Sequence, residues 1–203
     1  MLPLAERFGV ALAGGDTNAW DGPLIVCITV IGEAVPPGPV LRSGARPGDV
    51  IFVTGPLGGS LAGRHLRPVP RIEEALALRR LTRLHAMIDL SDGLSSDLSH
   101  ILNASGNLGA TLDPASIPIH PDASIESQRD GRSPLDHALN DGEDFELCFT
   151  VAPEDAERLT AGMAAGLRLQ PVGVVEREPG LRLREGDRLV PILPGGFDHF
   201  RGG

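Results

Sequence analysis

The run Ile88-Asp89-Leu90-Ser91-Asp92-Gly93 sets two carboxylates three residues apart where an apolar approach, Leu84-His85-Ala86-Met87-Ile88, gives way to a helical pattern. Leu94, Leu98, Ile101 and Leu102 carry that pattern, so the run is a strand-to-helix turn. Ligands of open α/β structures gather at the carboxyl ends of strands, and helix N-termini offer free N–H groups. A carboxylate there repels a phosphate, but it holds Mg²⁺, and Mg²⁺ holds the phosphate. Taken alone, the run is equally well explained by Ser91 or Asp92 as an N-cap worth about 1 kcal/mol.

Two more acidic turns follow the same logic. Gly14-Gly15-Asp16-Thr17 ends a short apolar stretch, with glycines that admit a ligand to the backbone and a carboxylate behind them, although Gly-Gly-Asp is also a common turn. Asn140-Asp141-Gly142-Glu143-Asp144 places three carboxylates directly before an apolar strand, Phe145 to Phe149. Arg42, in Arg42-Ser43-Gly44-Ala45, is either a solvent-facing arginine or one placed in a hinge to reach a phosphate. The glycine-rich stretch Thr54 to Ser60 lacks the GxxxxGK[ST] pattern, and GxGxxG, the protein-kinase motifs and GxSxG are absent too. None of the six histidines (His65, His85, His100, His120, His137, His199) has metal-ligand spacing such as HExxH, so they read as surface or structural residues. Acidic turns without a lysine-bearing phosphate loop point to phosphates handled through divalent cations.

These turns need elements to hold them. Residues 2–8 read as a helix end, and residues 10–13 and 24–31 as strands. A Pro/Gly-rich link, residues 36–48, precedes a strand over residues 49–54. Helices are expected over 71–84, 94–102 and 153–165, and strands over 145–151 and 171–175, with a terminal hairpin from 181–183 and 188–191. Residues 112–138 are rich in Pro, Ser and Asp and show little periodicity, which reads as a long structureless segment, either a functional loop or a disordered one. The opening helix end and two strands cannot close a core of their own, so the expectation is that an upstream part is missing.

Bulk properties narrow the function. A net charge of −9, only 3% aromatic residues and no basic stripe argue against nucleic-acid binding. No segment approaches the length of a transmembrane helix and no leader opens the chain, so a cytoplasmic protein without membrane contact is expected. Hydrophobic content of 41% supports a real core despite 26 glycines and 18 prolines. Cys27 and Cys148 each sit in an apolar run and read as small core residues.

Together, GGDT (14–17), LRSGARPGDVIFVTG (41–55), AMIDLSDGLSSDL (86–98), ALNDGEDFELCF (138–149) and GFDHF (196–200) resemble the thiamine-monophosphate kinase family. Its superfamily includes aminoimidazole ribonucleotide synthetase and selenophosphate synthetase. The resemblance implies an α/β (α+β) chain whose residues 46–203 form the C-terminal domain of the synthetase-like fold, a mixed sheet packed with helices. Residues 1–45 would then be the remnant of an N-terminal ATP-binding domain, with its linker. The implied activity is ATP- and Mg²⁺-dependent phosphorylation of thiamine monophosphate to thiamine diphosphate, by proteins that are homodimers at full length. Asp16, Asp89 and Asp92 would be Mg²⁺ ligands; Gly15, Asp16, Arg42 and Ser91 would contact nucleotide. Glu143 or Asp144, with Phe197, would face thiamine. Asp141 departs from the pattern, which more often has glycine there.

The chemistry asks for positioning and charge neutralisation. A phosphate monoester with a second pKa of about 6 is already a deprotonated nucleophile at neutral pH, so no general base is required. The competing expectations are a non-catalytic fragment, or another superfamily member such as aminoimidazole ribonucleotide synthetase or a hydrogenase-maturation enzyme; the GEDFEL block and the GFDHF ending argue against the latter two.

Overall fold

Where a strand forms in this chain is decided by whether a partner exists. The structure, a computed structural model, describes residues 2–34, 36–161 and 166–196. The chain falls into two units, Met1–Pro36 and Pro37–Gly203. The first begins with helix α1, Leu2–Arg7, and holds no strand among its described residues. The strands expected over 10–13 and 24–31 are absent: Leu24, Val30 and Ile31 are 91%, 75% and 92% exposed. Val30 and Ile31 are β-branched and suit a strand, but strand geometry needs a neighbour to take up its N–H and C=O groups, and the described residues of this unit offer no strand partner. Cys27 is exposed here rather than a core residue, whereas Cys148 is buried.

The second unit is built on a seven-stranded mixed sheet. Its strands are β1 (Val50–Val53), β2 (Ala86–Asp89), β3 (Gly109–Leu112), β4 (Leu147–Val151), β5 (Gln170–Glu176), β6 (Gly180–Glu185) and β7 (Arg188–Ile192), in the spatial order β2-β4-β1-β5-β3-β6-β7. Only β3 and β6 run parallel; every other pairing is antiparallel. β6 and β7 form the expected hairpin.

Both sheet faces are covered, which is why the central strands are apolar at consecutive positions rather than alternating. On β1, Ile51 and Val53 enter one core cluster and Phe52 the other. The first cluster takes Leu94, Leu98, Ile101 and Leu102 from helix α3 (Leu94–Ala104), which presents the i, i+4, i+7, i+8 stripe seen in the sequence. The second takes Leu78 of α2 (Ile72–Leu81), and Ala156 and Leu159 of α6 (Pro153–Ala161). There Phe52 stacks on its cross-strand partner Phe149 with ring centroids 5.3 Å apart. α2 ends at Leu81, short of the expected 84, because Thr82 adopts an extended conformation leading into β2. Residues 162–165, the expected end of α6, lie outside the described residues.

The expected loop over 112–138 is a correction. It holds a 3₁₀ turn, Pro114–Ser116, then α4 (Pro121–Asp130) and α5 (Pro134–Asn140). Each begins with proline just after a capping residue. Asp113 accepts from Ala115 N–H, His120 from Asp122 N–H and Ser133 from Asp136 N–H. Proline is pre-set for the first helical position, where its missing N–H costs nothing.

Candidate active site

The site grows from the carboxyl end of β2, an edge strand of the sheet. Asp89, its last residue, is exposed, while Leu90 after it is fully buried and its N–H donates to Glu146 O at 2.8 Å, prolonging the ladder with β4. The chain then turns at Gly93, whose φ of 108° and close approach to Leu139 O (2.9 Å from an added Cβ) require glycine. Gly93 is the N-cap of α3 and offers no side chain, so neither Ser91 nor Asp92 caps the helix. The cap-like bonds come instead from Asp97, within the helix. Its Oδ2 accepts from Ser91 N–H at 3.0 Å and from Asp92 N–H at 2.9 Å. The carboxylates of Asp89 and Asp92 have no hydrogen-bond partner among the described residues, which leaves them open to a ligand.

Asp97 is 2% exposed. Burial, together with the charges of Asp92 and Asp89, pushes its carboxyl up to about 6, against the backbone N–H groups that favour the anion. Three carboxylates therefore share one negative field at the start of α3. The fold also brings His100 there: Asp92, Asp97 and His100 each place a ligand-type atom within 4.8 Å of the other two, a proximity hidden by their spacing in the chain.

Glu143 and its neighbours are bonded directly to this loop. Glu143 N–H donates to Ser91 O and Phe145 N–H to Leu90 O, both at 2.8 Å. Gly142 (φ 74°), Glu143 (φ 52°) and Phe145 (φ 53°) are all left-handed, so β4 starts at Leu147 rather than at Phe145. A Cβ on Gly142 would meet Ser91 O at 2.6 Å. Two backbone bonds and a glycine contact thus make the metal-type loop and the GED turn one piece, with the Glu143 side chain half-exposed at the seam.

Asp144 points the other way. Its side chain is 1% exposed and accepts from Gly58 N–H at 2.9 Å and from Arg64 Nη2 at 2.6 Å. Burial raises its pKa to about 6 in spite of both partners. Asp141 takes Gly59 N–H at 3.0 Å, and also Arg132 Nη1 and His137 Nδ1. The glycine loop after β1 thus spends its N–H groups on this chain's own carboxylates, which accounts physically for its being no phosphate loop. Beneath it, Glu146 joins Arg71 and accepts from Thr54 Oγ1 at 2.7 Å.

Arg42 lies on a segment that runs alongside β2: Met87 N–H donates to Leu41 O at 3.0 Å, and the N–H groups of Gly44 and Ala45 both donate to Ser105 Oγ. Its neighbours Leu41 and Ser43 line a cleft of about 460 Å³ closed by the end of α2. Gly15 and Asp16 belong to the first unit, where Asp16 accepts from Thr17 N–H and Asn18 Nδ2. Phe197 lies outside the described residues; Gly195, two residues before it, donates its N–H to Ser95 Oγ at 3.0 Å. The structure thus assembles Asp89, Ser91, Asp92 and Glu143, holds Asp144 inward beside them with Asp141 next to it, and adds Asp97 and Arg64, which sequence reasoning missed.

A two-sided mixed sheet with acidic loops at its edge is the architecture of a recognised class. The family profile described as "AIR synthase related protein, C-terminal domain" matches residues 46–186. Among curated proteins, the chain is 46% identical to the thiamine-monophosphate kinase of Rhodopirellula baltica over 98% of its own length and 62% of that protein's, and 34% identical to that of Bacillus subtilis over 99% and 68%. A solved structure, AaThiL complexed with AMPPCP and TMP, superposes with a TM-score of 0.64 at 29% identity, over 79% of this chain and 54% of that one. The chain belongs to the thiamine-monophosphate kinase family and spans about 62% of the length of its Rhodopirellula relative.

Proposed function

We propose that the chain serves the ATP- and Mg²⁺-dependent phosphorylation of thiamine monophosphate to thiamine diphosphate, in the cytoplasm. The observation that carries this reading is the bonded seam: a metal-type loop and a substrate-type turn share one backbone network, so two phosphorylated ligands can be held side by side. AMPPCP and TMP, the ligands named for AaThiL, are of the two kinds this arrangement asks for.

Asp89 and Asp92 would hold Mg²⁺, since they are hard oxygen donors with no hydrogen-bond partner among the described residues; the family resemblance implies a Mg²⁺-ligand role for Asp16 as well. When bound, the cation supplies charge neutralisation between two phosphate groups that otherwise repel. Ser91 would contact nucleotide, and Arg42 would pair with its phosphates from the segment beside β2; for Gly15 and Asp16 the nucleotide contact is what the family resemblance implies. Glu143 and Phe197 would face thiamine. Asp144 would act on the substrate through the turn it braces, because its carboxylate is already taken by Gly58 and Arg64. The acceptor phosphate needs no base, so the protein's part is to bind, align and exclude competing water.

We read residues 1–45 as part of an N-terminal ATP-binding domain with its linker, and residues 46–203 as the C-terminal domain. Full-length relatives would pair as homodimers; the exposed apolar run over 24–31 supports a sheet contact missing within this unit. Calorimetry on the chain with thiamine monophosphate and Mg²⁺-AMPPCP, against an aminoimidazole ribonucleotide, tests the reading. Preferential binding of thiamine monophosphate is expected, with little turnover on ATP from this chain alone; preference for the ribonucleotide overturns the reading, and full turnover refutes the alternative of a non-catalytic fragment.

A further inference from the structure

Successive backbone N–H groups in a turn are a ready site for anions, because they converge on one concavity. In the loop just before Gly93, the N-cap of α3, two such donors, Ser91 N–H and Asp92 N–H, converge on a single oxygen, Asp97 Oδ2. Asp97 is 2% exposed, so this bond pair is shielded from competing water. The same loop carries the open carboxylates of Asp89 and Asp92. A phosphate approaching it therefore finds those donors spent and two negative charges facing it, while a cation finds ligands held in a fixed loop.

We propose that Asp97 is a positioning residue that converts the loop leading into α3 from an anion-binding turn into a cation-binding loop. The inference rests on the assignment of Asp89 and Asp92 as metal ligands and adds to it what sets the loop's shape and polarity. Because one oxygen receives both hydrogen bonds, the role belongs to an acceptor atom rather than to a negative charge. An asparagine oxygen in the same place keeps both bonds; alanine leaves the two N–H groups uncovered and the loop unbraced.

The test uses the full chain and two readouts. Amide hydrogen exchange at Ser91 and Asp92 is followed by NMR without metal, and Mn²⁺ alone is titrated by electron paramagnetic resonance. In Asp97→Ala, both amides lose protection and Mn²⁺ affinity falls by at least about tenfold, the scale typical of residues that orient ligands. In Asp97→Asn, protection and Mn²⁺ affinity stay within about threefold of the parent. If Asp97→Asn binds Mn²⁺ as weakly as a charge-removing ligand variant, or if Asp97→Ala keeps both amides protected, the positioning role is overturned. Asp89→Asn separates the two layers of argument: it loses Mn²⁺ while keeping the amides protected. Mn²⁺ binding unaltered in Asp89→Asn, with the amides behaving as expected, refutes the metal assignment instead, and with it the cation-selecting role of Asp97.

Discussion

Gly142→Ala tests the seam between the loop and the turn most cleanly. Two costs follow from the structure. The residue sits at φ 74°, where a side chain costs about 1–2 kcal/mol over glycine. An added Cβ would also lie 2.6 Å from Ser91 O and 3.0 Å from the carbonyl carbon of Asp92, both backbone atoms, so the loop itself must move, at a further cost of about 1–3 kcal/mol. The sum is about 2–5 kcal/mol. Gly131→Ala is the matched control: its φ of 79° carries the same backbone cost, but nothing lies within 4 Å of its added Cβ. Urea unfolding followed by circular dichroism should therefore show Gly142→Ala less stable than Gly131→Ala by about 1–3 kcal/mol. Metal affinity should fall in the first variant alone. Equal losses of stability and affinity in the two variants would refute the claim that turn and loop form one piece.

Three further outcomes follow from the same network. Asp144 titrates at about 6 when folded, chiefly through burial, against about 3.9 unfolded; the folded state thus binds its proton more tightly, so this stabilisation is full below about pH 4 and is lost as pH rises through about 6. Thermal unfolding midpoints should accordingly fall more steeply between about pH 4 and 6 in the parent than in Asp144→Asn, and parallel profiles would count against it. Asp141→Gly should cost about 1–3 kcal/mol in urea unfolding by stranding Gly59 N–H and the Arg132 and His137 donors. Arg71→Met should cost about 2 kcal/mol by leaving the Glu146 carboxylate buried with Thr54 as its remaining partner, and Glu146→Gln in the same background should recover part of that loss.

What could be read from the sequence was what is local. The Ile88–Gly93 turn announced itself because an apolar strand and a 3.6-residue stripe meet there, and the β6–β7 hairpin because both strands lie close together in the chain. α4 and α5 were hidden since proline was read as a loop residue, although His120-Pro121 and Ser133-Pro134 are cap-and-first-turn pairs. The run from Leu24 to Ile31 has the right composition for a strand, but a strand belongs to a pair, and the described residues of its unit supply no partner. The helix-cap explanation of Ser91 and Asp92 failed for a related reason: the competing acceptor, Asp97, sits inside the helix and reaches backwards. Nothing in the types of Glu143 and Phe145 signals a left-handed backbone; the bonds to Ser91 and Leu90 impose it. Arg64 could not be matched to Asp144 from sequence, since 80 residues separate them.

The most direct measurement of the central claim is an NMR titration of the chain with Mg²⁺-AMPPCP and then thiamine monophosphate, following backbone amides. Shifts concentrated over 89–93 with the nucleotide, and over 142–145 with the second ligand, are expected, each ligand also perturbing the other segment through the shared bonds. Perturbations confined to surfaces away from both segments would contradict it.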